Sequence, residues 1–172
     1  VGAADSRGAA LAADGLDLAE IVRIKSQGRS IGSYPGGGHP GMSPLDMVRV
    51  AEADALCEAT PVNIEHGEPG LSCMRFALSH GRHVVTANKG PLVLAYAELI
   101  SLAEAHDVRL KFCGTVAGGL PAINLGQRDL AGAEIERLEA LPNLTTSFIL
   151  DQMARGKTYA QALAAAQAQG CA

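Results

Sequence analysis

Short apolar runs alternate along the chain with longer stretches whose apolar residues recur at helical spacing. Val1 to Asp5 reads as the end of a buried strand. Asp17 stands where an N-cap would, before a helix to about Gln27 that sets Leu18, Ile21, Val22 and Lys25 at helical spacing. Ser33 to Gly41 is too rich in Gly and Pro for a regular element and reads as a flexible surface connection; without a Lys-Ser/Thr ending it is not a phosphate loop. Ser43-Pro44 predicts a short helix through about Ala53, since proline suits the first helical position after a serine cap. A strand from Asp54 to Ala59 ends at Thr60-Pro61. A helix from Pro69 through Leu78, a strand from His83 to Thr86, a helix from Pro91 to about His106 and a strand from Val108 to Cys113 follow. This alternation predicts an α/β fold, a partial Rossmann-like doubly wound parallel sheet.

Beyond residue 113 the pattern changes. Gly114 to Pro121 is a glycine loop feeding a helix to about Leu130, and Glu134 to Leu141 alternates Ile135 and Leu138 with charged Glu136, Arg137 and Glu139. That alternation predicts a half-exposed antiparallel strand. Two helices close the chain, Asn143 to Arg155 and Thr158 to Gln169, separated by Gly156. The expected division is residues 1–113 as a partial dinucleotide-binding domain and residues 114–172 as the start of an α+β catalytic domain.

The candidate chemistry lies in the strand-end turns. In an open parallel sheet ligands bind in the crevice outside the carboxyl ends of the strands, so Asp5-Ser6-Arg7, Thr60-Pro61 and Thr86 with Asn88-Lys89 would line one edge. Asp5 sits where an acidic residue contacts an adenosine ribose, and Arg7 could meet a 2′-phosphate instead. A solvated surface lysine and bare surface turns are the plain alternatives at this stage.

Composition narrows the class. Of 172 residues 48% are apolar, and the net charge is only −4, so the chain can bury a core large enough to offset its conformational entropy. A mildly acidic chain without Trp, whose Tyr and Phe are not set among Lys and Arg, is a poor match for nucleic acid. No run of about 18 apolar residues suggests a membrane span. Cys57, Cys73, Cys113 and Cys171 form no Cys-x-x-Cys pair, and the five histidines are dispersed, which argues for a reduced cytoplasmic protein without a zinc site. The opening Val1 and the ending at Gly170-Cys171-Ala172 suggest a chain cut at both ends.

Ala53 to Pro61, Gly67-Glu68-Pro69-Gly70-Leu71 and Val84 to Leu92 resemble homoserine dehydrogenase in order and spacing. Ala87-Asn88-Lys89-Gly90-Pro91-Leu92 is the most specific piece. The resemblance continues through Thr115-Val116-Ala117-Gly118-Gly119-Leu120-Pro121, Asn143 to Leu150 and Ala165 to Gly170. It implies NADP- or NAD-dependent interconversion of aspartate semialdehyde and homoserine, in the branch leading to threonine, methionine and isoleucine. By matching positions it implies that Thr60, Thr86 and Lys89 border the nicotinamide, that Asp5, Ser6 and Arg7 border the adenosine, and that Thr145 touches the amino-acid substrate. Lys89 is the implied catalytic cation and proton donor. The family typically pairs subunits through its catalytic domain, so a homodimer is expected of the full-length form.

Two departures qualify the resemblance. The family holds a monovalent cation with a glutamate before the glycine loop and with loop carbonyls, here those of Val116, Gly118 and Leu120; Cys113 occupies the glutamate position and removes charge that a hard cation prefers. The usual Asn-Gly-Thr-Thr-Asn substrate loop is Asn143-Leu144-Thr145-Thr146-Ser147, with a side chain where glycine is usual. The family's glycine-rich first turn would precede Val1, and its substrate-binding acid and second lysine would follow Ala172. These departures motivate a competing expectation, a catalytically inactive nucleotide-binding or interaction remnant. A third is another amino-acid dehydrogenase on the same fold.

Overall fold

The computed structural model describes residues 1–118, 120–141 and 143–171. It divides into two compact units, Val1–Thr115 and Val116–Ala172.

In the first unit, β1 (Gly2–Asp5) and β2 (Gly8–Leu11) form an antiparallel hairpin that turns through Ser6-Arg7, with Asp5 opposite Gly8. The Asp5 carboxylate accepts from the Arg7 N–H at 2.9 Å, an Asx-type contact that stabilises so tight a turn. After α1 (Leu18–Ser26), capped by Asp17 as expected, comes β3 (Gly38–Pro40), which pairs antiparallel with β2. Two expectations are corrected here. Asp5 does not end a strand of the parallel sheet, because β1 belongs to a separate three-stranded antiparallel sheet of order β1-β2-β3. The region expected to be a flexible connection instead supplies β3, and glycine is required there because a Cβ on Gly37 would stand 2.2 Å from the Leu11 carbonyl oxygen.

The parallel layer follows: α2 (Pro44–Val50) capped by Ser43, β4 (Ala55–Glu58), α3 (Gly70–Ser79), β5 (His83–Thr86), α4 (Lys89–Ala105) and β6 (Leu110–Lys111). The strands are parallel in the order β4-β5-β6, with Glu58 in register with Thr86. Strand alternation decides what each face carries. Leu56, Glu58, Val84, Thr86 and Leu110 point toward the face packed by α3 and α4, whereas Ala55, Cys57 and Val85 point to a face left exposed among the described residues. Met74, Leu78, Val84 and Leu99 are fully buried where α3 and α4 meet the sheet. A cavity of about 850 Å³ lies between two sheet edges, reached by Asp5 and Ser6 of the β1 side and by Glu58 and Thr60 of the β4 side.

The second unit contains α5 (Ala122–Asn124), continued by a π-turn over Leu125–Asp129, then α6 (Leu144–Ala154) and α7 (Tyr159–Ala168). Asn143 caps α6, and Thr158 with Gln161 forms a capping box on α7. Ile149, Ala162 and Ala166 form their shared core. The strand expected over Glu134 to Leu141 is absent among the described residues: the segment is unpaired and exposed. Alternation marks a strand only where a neighbour accepts its backbone groups, and the described residues offer none. No helix of the described residues is long and apolar enough to cross a membrane.

Candidate active site

The site forms where β4 and β5 run out into their following loops. Glu58 and Thr86, paired in register, both turn their side chains toward the helices and are 4% and 2% exposed. A carboxylate so placed must be satisfied by donors. Glu58 Oε2 accepts from the Thr86 hydroxyl at 2.8 Å. Its Oε1 accepts from the Thr60 N–H at 2.8 Å, from the Thr60 hydroxyl, and from the Asn88 amide nitrogen at 3.4 Å. The Asn88 Nδ2 also donates to Thr60 Oγ1 at 3.1 Å, and the Asn88 N–H donates to Thr86 Oγ1 at 3.0 Å. No buried side-chain polar atom among the described residues is left without a partner.

The same Asn88 caps α4, its side-chain oxygen accepting from the Gly90 N–H at 3.0 Å. Lys89 is thereby the first residue of α4, exposed at the carboxyl end of the central parallel strand, and no carboxylate pairs with it among the described residues. Gly90 seats this helix start against the preceding loop, since a Cβ there would stand 2.2 Å from the Asn63 carbonyl oxygen. Thr115 closes the far side, its hydroxyl donating to the Thr86 carbonyl at 3.1 Å.

Placement of the expected residues is therefore uneven. Thr60 and Lys89 flank one strand-end region, and Thr86 directs its hydroxyl to the buried Glu58 carboxylate while accepting from the Asn88 N–H. Asp5 and Ser6 reach the cavity that Thr60 also lines. The Asp5 carboxylate is occupied within the chain by Lys25 Nζ at 2.6 Å, the Ser30 hydroxyl at 2.9 Å, the Ile31 N–H at 3.0 Å and the Arg7 N–H. Burial pushes its pKa upward, but the Lys25 ion pair and these hydrogen bonds outweigh that and hold the carboxyl well below the usual carboxylate range. The Arg7 guanidinium donates to the Gly28 carbonyl at 2.7 Å and is otherwise exposed.

In the second unit, the half-buried Thr145 lies in the first turn of α6 and donates its hydroxyl to the Cys171 carbonyl. Val116, Gly118 and Leu120 lie in a turn with Ala117 and Gly118 at positive φ, and the Leu120 N–H donates to the Ala117 carbonyl at 3.2 Å. Gly119 of this expected loop lies outside the described residues. No carboxylate occurs from Cys113 to Pro121, and among the described residues no cluster of three His, Cys, Asp or Glu side chains could hold a metal. Neutral carbonyls with a soft thiol at the glutamate position do not fit a hard monovalent cation.

Glu58 is the site residue that sequence reasoning missed, and Asn88, named only as part of a strand-end turn, proves to bridge Glu58, Thr60 and the start of α4. Glu58 carried a signal, a lone carboxylate two residues after Leu56 on the face that alternation buries. Nothing in the sequence indicates which donors would surround it.

A profile of the family described as homoserine dehydrogenase matches residues 121–172. Homoserine dehydrogenase of Methanocaldococcus jannaschii is 40% identical over 169 residues, 98% of this chain and 50% of that protein. An NAD(+)-dependent homoserine dehydrogenase of Pseudomonas canavaninivorans is 39% identical over 158 residues, 92% of this chain and 45% of that protein. The solved structure of a hyperthermophilic archaeal homoserine dehydrogenase mutant in complex with NADPH superposes with a TM-score of 0.81 at 28% identity, covering 97% of this chain and 50% of the other. The chain thus spans about half the length of the curated relatives it matches. Similarity over nearly its whole length, in sequence and in fold, establishes that the chain belongs to the homoserine dehydrogenase family.

Proposed function

We propose that the chain supplies the nicotinamide-side turn of a dehydrogenase that interconverts aspartate semialdehyde and homoserine with NADP or NAD. The observation that carries this reading is Lys89: an exposed ammonium at the start of α4, outside the carboxyl end of the central parallel strand, without a carboxylate to neutralise it among the described residues. Relatives named homoserine dehydrogenase, one NAD(+)-dependent and one in complex with NADPH, support the choice of reaction and cofactor. The first unit then serves the nucleotide and the second begins the substrate-binding part, with Thr145 toward the amino acid.

When bound, the reduced nicotinamide supplies the hydride. Negative charge then develops on the carbonyl oxygen of the semialdehyde, and the Lys89 ammonium stabilises it and holds the proton that the oxygen takes up. Thr60 donates its hydroxyl hydrogen to Glu58 and accepts from Asn88 Nδ2, which leaves one lone pair of its oxygen for a ligand. Arg7 has exposed N–H groups suited to a 2′-phosphate, whereas Asp5 holds the hairpin turn and takes no ribose contact while its four donors remain in place. We assign no role to a cation at Val116, Gly118 and Leu120. A cytoplasmic homodimer is the assembly we propose for the enzyme.

The test is homoserine-dependent reduction of NADP and NAD, followed by absorbance of the reduced nicotinamide. Lys89→Ala is expected to lower turnover by about 10²–10⁴-fold with an unchanged circular dichroism spectrum. Turnover equal to that of the unsubstituted protein would remove Lys89 from the reaction.

A further inference from the structure

We propose that Glu58 is the positioning residue of this site: its buried carboxylate ties the turn after β4 to the turn after β5 and so sets where Thr60 and Lys89 stand. The proposal rests on the reading of Lys89 given above.

Two routes of hydrogen bonds lead from Glu58 to the lysine. In the first, Oε2 accepts from the Thr86 hydroxyl, whose oxygen in turn accepts from the Asn88 N–H, fixing the residue before Lys89. In the second, Oε1 accepts from Asn88 Nδ2 while the other end of that amide caps the Gly90 N–H, fixing the residue after Lys89. A third bond, from the Thr60 N–H, anchors the opposite turn to the same oxygen. The carboxylate thus accepts from both strand-end turns, which the Asn88 amide also bridges through Thr60 Oγ1.

Four features describe how this position is built around an acceptor. Every neighbour of the carboxylate donates: one backbone N–H, two hydroxyls and one amide N–H. No Lys or Arg pairs with Glu58 among the described residues, so the acceptor is held by neutral donors that also hold one another. α3 begins at Gly70 beside it, and the positive end of a helix favours an anion there. Finally, a Cβ on Gly70 would stand 2.9 Å from Oε1, so the start of α3 packs closely against this oxygen.

Glutamine at this position is nearly isosteric but breaks the donor pattern. With its nitrogen at Oε1 it would confront the Thr60 N–H and the Asn88 amide, donor against donor. With its nitrogen at Oε2 it would force Thr86 to turn its hydrogen away while still accepting from Asn88. Either arrangement loosens the turn without removing side-chain volume.

The experiment combines amide hydrogen exchange with turnover for Glu58→Gln, Thr86→Val and Lys89→Ala. Glu58→Gln is expected to speed exchange at Thr60, Asn88 and Gly90 by at least about tenfold while leaving Val84 and Leu99 unchanged, a local opening without global unfolding. Turnover should fall by on the order of 10²-fold with KM for homoserine nearly constant, the signature of a misplaced catalytic group. Thr86→Val keeps the carboxylate and breaks one route, so its effect should be smaller and should not add to that of Glu58→Gln. Unchanged exchange at Asn88 and Gly90 in Glu58→Gln would overturn the proposal, as would lost protection with unchanged kcat. Wild-type turnover in Lys89→Ala would refute the reading of Lys89 itself, and the exchange data would still decide whether Glu58 holds the two turns. If Glu58→Gln does not fold, Thr86→Val decides on the same readouts.

Discussion

Replacing Gly90 by alanine tests the seating of the turn that carries Lys89. The new Cβ would stand 2.2 Å from the Asn63 carbonyl oxygen, 3.0 Å from its carbon and 3.3 Å from its nitrogen. Carbon and carbonyl oxygen ordinarily approach to about 3.3 Å, so the helix start and the loop must separate by roughly 1 Å. The obstacle is backbone and cannot swing aside like a side chain. The Asn63 carbonyl also accepts from the Gly67 N–H at 3.1 Å, and the Gly67 carbonyl accepts from the Leu71 N–H at 2.9 Å, so moving Asn63 disturbs the entry to α3. Overpacking of this kind costs about 1–3 kcal/mol. The gain from replacing glycine in a helix is at most about 1 kcal/mol and smaller in the first turn. Urea unfolding should therefore show Gly90→Ala less stable than the unsubstituted chain by about 1–3 kcal/mol. Gly114→Ala is the matched control, because its Cβ would meet only the Ala87 Cβ at an ordinary 3.7 Å. It should change stability by no more than about 0.5 kcal/mol. Equal or greater stability of Gly90→Ala, or equal damage from the control, would refute the close-approach argument.

Two further predictions concern titrating groups. The Asp5 carboxyl is depressed in the folded chain below its ordinary 3.8, so its contribution is present above about pH 4 and is lost as pH falls further; Asp5→Asn should flatten the acid limb of the stability profile and cost about 1–2 kcal/mol at neutral pH, measured by urea titrations across pH. An acid limb unchanged by the substitution would count against the hairpin anchor. Burial, with the nearby charges of Glu58 and Glu68, pushes the Cys73 thiol up to about 11 from 9.0; the unfolded chain then loses this proton first, and stability should decline as pH rises from about 9 toward 11. At pH 8 iodoacetamide should modify exposed Cys57 well before Cys73, and equal rates in mass spectrometry would contradict the burial.

Local chemistry made much of the fold readable. Asp17, Ser43, Asn143 and Thr158 each start a helix because their side chains accept from backbone N–H groups a few residues on, a contact that needs no distant partner. β5 was legible because His83 to Thr86 is a β-branched run between turn residues. The antiparallel sheet was not. Gly8-Ala9-Ala10 has no apolar alternation to display, and its pairing with Gly38-His39-Pro40 is set by close backbone approach across some thirty intervening residues. Glu134 to Leu141 failed in the opposite sense, showing alternation without a neighbour. At the site, the position of Lys89 followed from strand-then-helix order, but the inward turn of Thr86 and the donors around Glu58 depend on the register of β4 against β5.

That register also bears on how a flexible lysine would serve the proposed role. Ordering a long side chain costs up to about 2 kcal/mol, and a wandering backbone would add to it. At Lys89 the backbone is held on both sides, by the Asn88 N–H on Thr86 and by the Gly90 N–H on Asn88, so only the side-chain torsions remain to be ordered by a ligand. The alternation of β5 makes this arrangement possible: it buries Val84 and Thr86, exposes Val85, and delivers the chain to the surface at Lys89 after a buried Asn88. A slip of one residue would turn Thr86 to the bare face of the sheet and take the Oε2 partner from Glu58. The polar cluster is thus specified by the same two-residue period that builds the apolar core. It is placed at the carboxyl end of the strands because only there does a buried side chain lie within reach of the turn that carries the lysine.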